Sequence, residues 1–113
     1  MKKVFPLLSF LLVTAFSLVS WTATAEEITT AFKVKGSCGM CKKKIETSLR
    51  IKGVKKVNWD KTNQELTITY ADDKITIDEI HQRIAAVGYD TDKIKASDES
   101  YAKLDDCCRY ERD

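Results

Sequence analysis

Lys35-Gly36-Ser37-Cys38-Gly39-Met40-Cys41-Lys42-Lys43-Lys44-Ile45-Glu46 is the stretch on which the fold turns. An alternating, strand-like run at 28–34 precedes it, and small residues break that run. An amphipathic helix begins around the second cysteine. This layout predicts Cys38 in a loop and Cys41 in the first helical turn, so both sulfurs can point at one spot above the helix N-terminus. Unpaired amide N–H groups and the positive end of the helix dipole lie there, and both favour thiolate over thiol. Two converging soft thiolates suit a soft metal ion or a disulfide.

The N-terminal 25 residues stand apart from that region. Lys2 and Lys3 form a positive start, 4–19 is apolar apart from Ser9, Thr14 and Ser17, and Ala23-Thr24-Ala25 is an A-x-A cleavage signature. This is the pattern of a secretory signal peptide. The apolar run falls short of the ~20 residues a membrane span needs, so no stable membrane insertion is expected after cleavage. No cysteine stands near the cleavage point to carry a lipid. The expected organisation is a signal peptide at 1–25, a folded domain at 26–97 and a tail at 98–113. The product would be exported, and periplasmic if the source is a Gram-negative bacterium.

The roughly 88 residues that follow suffice for one small domain. Without Lys2 and Lys3 its 17 basic residues equal its 17 acidic ones. The charges are unevenly spread: 26–61 carries about +6 and 62–113 about −6. A globally basic nucleic-acid binder is therefore not indicated. A local positive face beside the cysteines suits an acidic partner, although such lysine runs are more often solvated surface. Four cysteines in an exported domain ordinarily suggest a disulfide framework. Here Cys38 and Cys41 are three apart and Cys107 and Cys108 are adjacent, so neither pair closes a loop long enough to stabilise much.

Periodicity supplies the remaining elements. Strand one is predicted at 28–34, with Ile28, Thr30, Phe32 and Val34 on one face. Helix one is predicted at 40–51, with Cys41, Ile45 and Leu49 as its buried stripe and Gly53 just past its end. A hairpin of 54–60 and 65–70 follows, Val57 and Trp59 alternating in one strand and Leu66, Ile68 and Tyr70 in the other. Thr76-Ile77-Asp78-Glu79 is a capping box that opens helix two. Ile77, Ile80, Ile84 and Val87 line its apolar face, and Gly88 stops it. A short fourth strand is expected at 92–96, then a final turn or two of helix capped by Ser97 or Asp98. The order βαββαβ gives a ferredoxin-like α+β sandwich. Its four-stranded, mostly antiparallel sheet is covered on one face by two helices, with a short cysteine-containing C-terminal tail. In that arrangement Tyr89 lies beside Cys38 and Cys41.

Gly36-Ser37-Cys38-Gly39-Met40-Cys41, then Ile45-Glu46, Gly53-Val54 and Gly88-Tyr89 on a βαββαβ frame, resemble the heavy-metal-associated domain. That family includes copper chaperones, N-terminal modules of metal-transporting P-type ATPases and periplasmic mercuric-ion binding proteins. The likeness covers about 28–97. It implies Cys38 and Cys41 as metal ligands, with Tyr89 matching the aromatic that closes the site in bacterial copper chaperones and Ser37, Met40 and Lys42 adjacent. Two features depart from the pattern. Lys35-Gly36-Ser37 stands where the family usually has Gly-Met-Thr, whose methionine packs beneath the loop, and the Cys107-Cys108 tail lies outside the common domain.

Two thiolates without a carboxylate or histidine partner favour Cu(I), then Hg(II). Structural Zn(II) is possible only with four ligands, which would recruit the tail. The 11 residue-to-residue steps from Ala96 to Cys107 are long enough to bring Cys107 and Cys108 back to Cys38, either as further ligands or as disulfide partners. His81 is expected at the surface or half-buried rather than as a ligand. No base, nucleophile pair or cofactor cradle marks an enzyme. The expected function is a monomeric soft-metal carrier that exchanges its ion with a metal transporter or another thiolate-bearing metal protein. A thiol–disulfide redox protein is one alternative, though the only proline, Pro6, leaves the mature chain without the cis-proline of thioredoxin-like sites. A metal scavenger or sensor without onward delivery is the other.

Overall fold

The computed structural model describes residues 26–112; the signal peptide expected at 1–25 and Asp113 lie outside the described residues. Strand β1 is Glu27–Lys33, helix α1 Gly39–Ser48, strand β2 Val54–Asp60, strand β3 Glu65–Ala71 and helix α2 Ile77–Ala86. A short helix α3, Asp98–Ala102, and a 3₁₀ turn, Asp106–Cys108, follow. No helix among the described residues is long and apolar enough to cross a membrane.

The three strands form an antiparallel sheet in the order β1-β3-β2. Register is set by the period-two pattern, because a slip by one residue would turn every apolar side chain to the wrong face. Phe32 and Trp59 both lie opposite Leu66, and Thr30 and Val57 both lie opposite Ile68. Thr29 and Thr69 are hydrogen-bonded at 2.8 Å on the opposite, exposed face. The β2–β3 turn is closed by Asp60, whose carboxylate accepts from the Thr62 N–H at 2.8 Å and the Asn63 N–H at 3.4 Å.

The helices cover the other face as their stripes require. Cys41, Ile45 and Leu49 are fully buried, as are Ile80 and Ile84. Each aliphatic side chain so buried contributes ~1.5–3 kcal/mol. Thr76 caps α2, its Oγ1 accepting the Glu79 N–H at 3.2 Å. Helix α1 ends at Ser48, three residues earlier than its pattern suggests. The Leu49 and Arg50 N–H groups turn back to Glu46 and Thr47 carbonyls, tightening the last turn. Val87, expected on the buried face of α2, is 38% exposed because it caps the helix and has already turned out of the stripe. His81 takes a place in the core. It is 2% exposed, stacked on Phe32 at 4.1 Å and bonded through Nδ1 to Thr91 Oγ1 at 2.6 Å.

The fourth strand expected at 92–96 does not form, so the sheet has three strands rather than four. A single antiparallel bridge, Val34 to Thr91, stands where it would begin. Beyond that bridge side chains take over the backbone. Thr91 Oγ1 accepts from the Lys93 N–H at 3.1 Å and the Ile94 N–H at 2.9 Å, and Asp90 Oδ1 accepts the Ala96 N–H at 2.8 Å. Such local bonds offer the chain a turn in place of a ladder. The same curl sends the tail back toward the start of α1.

Candidate metal centre

Cys38 occupies the N-cap of α1 with extended backbone. Cys41 is one turn on and anchored in the core. The two sulfurs are 3.6 Å apart. The Cys41 N–H is the main influence on Cys38, with further donation from the Cys107 and Cys41 thiols and the Met40 N–H. Together they outweigh partial desolvation and hold the Cys38 thiol at about 6. A nearly ionised sulfur at a helix start is the physical signature of a reactive or metal-binding cysteine.

The loop before α1 is fastened on every side. The Lys35 N–H donates to the Asp90 carbonyl at 2.9 Å, Gln64 Nε2 to the Gly36 carbonyl at 2.6 Å, and the Ser37 N–H to the Cys41 sulfur at 3.4 Å. Trp59 lies directly beneath. A Cβ on Gly36 would stand 2.7 Å from its ring, and the indole N–H donates to the Val34 carbonyl at 3.0 Å. The loop at Gly36 is thus floored by an indole from β2. Trp59, Gln64 and Asp90 were not singled out for the site from sequence. The one signal was Gly36, whose missing side chain makes room for a large neighbour.

The tail returns to this loop. Cys107 Sγ is 3.4 Å from Cys38 Sγ and 3.6 Å from Met40 Sδ, and Cys108 Sγ is 3.7 Å from Cys38 Sγ. Cys38, Cys41 and Cys108 form a set whose sulfurs all lie within 4.8 Å of one another. All four cysteines are free thiols. Burial first, then the hydrogen bond to Cys41, push the Cys108 thiol up to about 12. Cys107 is raised chiefly by its hydrogen bond to Cys38, which holds its proton in place. Ser37 Oγ donates to the Cys107 carbonyl, fixing tail to loop.

The residues expected beside the cysteines divide. Tyr89 is fully buried, and its hydroxyl has no hydrogen-bond partner of good geometry. Burial, followed by the Cys108 and Cys41 sulfurs, raises its pKa steeply. Met40 is half exposed, as a residue between the two cysteines should be. Lys42 turns away from the sulfurs to Glu46 Oε2, Asn58 Oδ1 and the Trp59 carbonyl. Lys44 is the lysine that faces the tail, paired with Asp105 at 3.1 Å and feeling the charge of Cys108 and Cys41.

The family described as the heavy-metal-associated domain matches residues 31–90. Among solved structures, the chain is similar to the CopZ metallochaperone, at 30% identity with a TM-score of 0.55, covering 57% of this chain and 98% of that one. It is also similar to the yeast copper transporter domain Ccc2a, solved in apo and Cu(I)-loaded states. There identity is 28%, the TM-score 0.51 and the coverage 61% and 97%. Oxidized MerP from Ralstonia metallidurans CH34 shares the fold at 22% identity and a TM-score of 0.56, with coverage of 58% and 94%. No curated protein matches the chain.

Proposed function

The chain belongs to the heavy-metal-associated domain family, and from that membership we propose that it is an exported carrier of a soft metal ion bound at Cys38 and Cys41. The observation that carries this reading is the pair of sulfurs 3.6 Å apart at the N-terminus of α1. One of them is largely ionised near neutral pH, since its pKa is held at about 6. Soft thiolates select soft d¹⁰ ions, which puts Cu(I) first and Hg(II) next, with Zn(II) dependent on a fuller ligand set. The likeness to a metallochaperone and to a domain solved with Cu(I) supports copper over the others.

Delivery proceeds by ligand exchange rather than catalysis. A thiolate of a transporter or other metal protein bonds to the ion, and one of the carrier's sulfurs leaves as that bond forms. Neither metal nor sulfur changes oxidation state. Export rests on the leader at 1–25, and the test is the N-terminus of the protein recovered from its native source, expected at Glu26.

The metal reading is tested by anaerobic titration of the reduced protein with Cu(I), Hg(II) and Zn(II), beside a Cys38→Ser/Cys41→Ser variant. One tightly held Cu(I) per wild-type chain, abolished in the double variant, is the expected result; equal weak binding by both would sink it. A thiol–disulfide role has one observation in its favour, the 3.4 Å approach of Cys38 and Cys107. It would show as a defined reduction potential without tight metal binding. A scavenger or sensor would bind tightly yet deliver to no transporter.

A further inference from the structure

We propose that the C-terminal tail completes the site, with Cys108 as a third thiolate around the ion held by Cys38 and Cys41 and Cys107 as a thiol at its mouth. This rests on the metal-binding reading above and adds the coordination number and the means of release.

The tail is built into the domain. Leu104 is buried against Gly88, where an added Cβ would meet it at 2.9 Å. Tyr110 is buried as well, its hydroxyl donating to the Gly88 carbonyl at 2.8 Å and accepting the Asp90 N–H at 2.9 Å. Arg112 bonds Asp90 at 2.9 Å. Cys108 is therefore delivered between two fixed points, and its side chain is fully buried. A surface appendage would have left it mobile and wet.

Sulfur geometry favours three ligands over four. With metal–sulfur bonds of ~2.3 Å, three sulfurs in a plane stand ~4.0 Å apart and four at a tetrahedron's corners ~3.8 Å. Cys38, Cys41 and Cys108 all lie within 4.8 Å of one another. Cys107 approaches Cys38 to 3.4 Å and Cys108 to 3.9 Å but stands outside the set that includes Cys41, and it is exposed where Cys41 and Cys108 are buried. Three plus one suits a trigonal d¹⁰ ion such as Cu(I) better than tetrahedral Zn(II). The Tyr89 hydroxyl is an independent pointer. It is a buried donor without a partner, next to Cys41 and Cys108. Leaving such a group unpaired is costly, and a metal-bound thiolate is the strong acceptor that would satisfy it.

Release then requires the tail to yield. Partner thiolates replace the carrier's sulfurs on the ion one at a time, Cys108 first and then Cys41 and Cys38, and each displaced sulfur leaves as a thiolate. The ion's oxidation state is unchanged.

The test is X-ray absorption of the Cu(I)-loaded protein with Cu(I) affinity measured against a chromophoric chelator, for the wild type and Cys38→Ser/Cys41→Ser, Cys108→Ser and Cys107→Ser variants. Three sulfur neighbours are expected in the wild type and in Cys107→Ser and two in Cys108→Ser, with affinity at least about tenfold weaker in Cys108→Ser than in the wild type. Two sulfurs in the wild type, or a Cys108→Ser affinity within about twofold of it, would overturn the proposal; so would four sulfurs. The wild-type spectrum decides even where Cys108→Ser folds poorly. If wild type and double variant bind alike, the carrier reading itself fails; if only Cys108 proves dispensable, the carrier stands and the tail does not.

Discussion

At the scale of single residues the site is governed by which groups meet each sulfur. Cys38 is partly exposed and faces helix N–H groups, whereas Cys108 is sealed in the core. Because the folded pKa of Cys38 is lowered to about 6, its thiolate predominates above that pH. In the metal-free reduced protein, iodoacetamide should modify Cys38 first, with a rate that rises through about pH 6; peptide mass mapping reads the order. Cys108, raised to about 12, should stay unmodified until the fold opens. The glycines offer a second contrast. Gly36→Ala drives a methyl into the Trp59 ring, 2.7 Å away, and should cost ~1–3 kcal/mol in denaturant unfolding while changing indole fluorescence. Gly39→Ala meets nothing within 4 Å and sits in a helix, so it should be neutral or stabilising by up to ~1 kcal/mol. The placement of Cys38 and Cys41 around a helix start was legible from the strand-like run before them and the amphipathic pattern after them. That Lys44 and not Lys42 attends the site was not, because a lysine's direction depends on the partners that Glu46, Asn58 and Asp105 offer it.

At the scale of elements the tail is the distinctive feature, and Asp90 and Tyr110 hold it. Tyr110→Phe removes a hydroxyl that serves both the Asp90 N–H and the Gly88 carbonyl, leaving buried backbone groups unpaired. A loss of ~1–3 kcal/mol is expected, with faster proteolysis after α3 as the local readout. Burial would raise the Asp90 carboxyl, but Arg112 and the Ala96 N–H overcome it and leave the pKa below the usual carboxylate value. A depressed folded pKa stabilises the native state above the unfolded value of ~3.9, and that stabilisation is lost as pH falls through the folded value. Acidification below about pH 4 should therefore loosen the tail, seen as accelerated hydrogen exchange at the Ala96 amide; Asp90→Asn should flatten that dependence. The strands and helices with strong periodicity and caps were readable in advance, Thr76 above all. The expected fourth strand was not, since Asp90 and Thr91 spend their side chains on local turns that an alternation pattern does not register.

At the scale of the whole molecule, loop, α1, Tyr89 and tail meet at one cluster of sulfurs, so a bound ion should stabilise the entire domain. Free Cu(I) at 100 times Kd adds ~2.7 kcal/mol, which for a domain of this size raises Tm by roughly 10–20 °C. Calorimetry of the anaerobic protein with and without Cu(I) checks this, and the Cys38→Ser/Cys41→Ser variant should show no shift. Local order, the two-cysteine start of α1 and the three strands and two long helices that form were written in spacing and periodicity, because caps, turns and apolar stripes act over a few residues along the chain. The indole floor under Gly36, the burial of His81 and the return of Cys108 to within 3.7 Å of Cys38 depend on contacts between residues far apart in sequence. Such contacts leave no period to read: they arise only once the sheet has brought β2 under the loop and the turn at Thr91 has sent the tail back across α1.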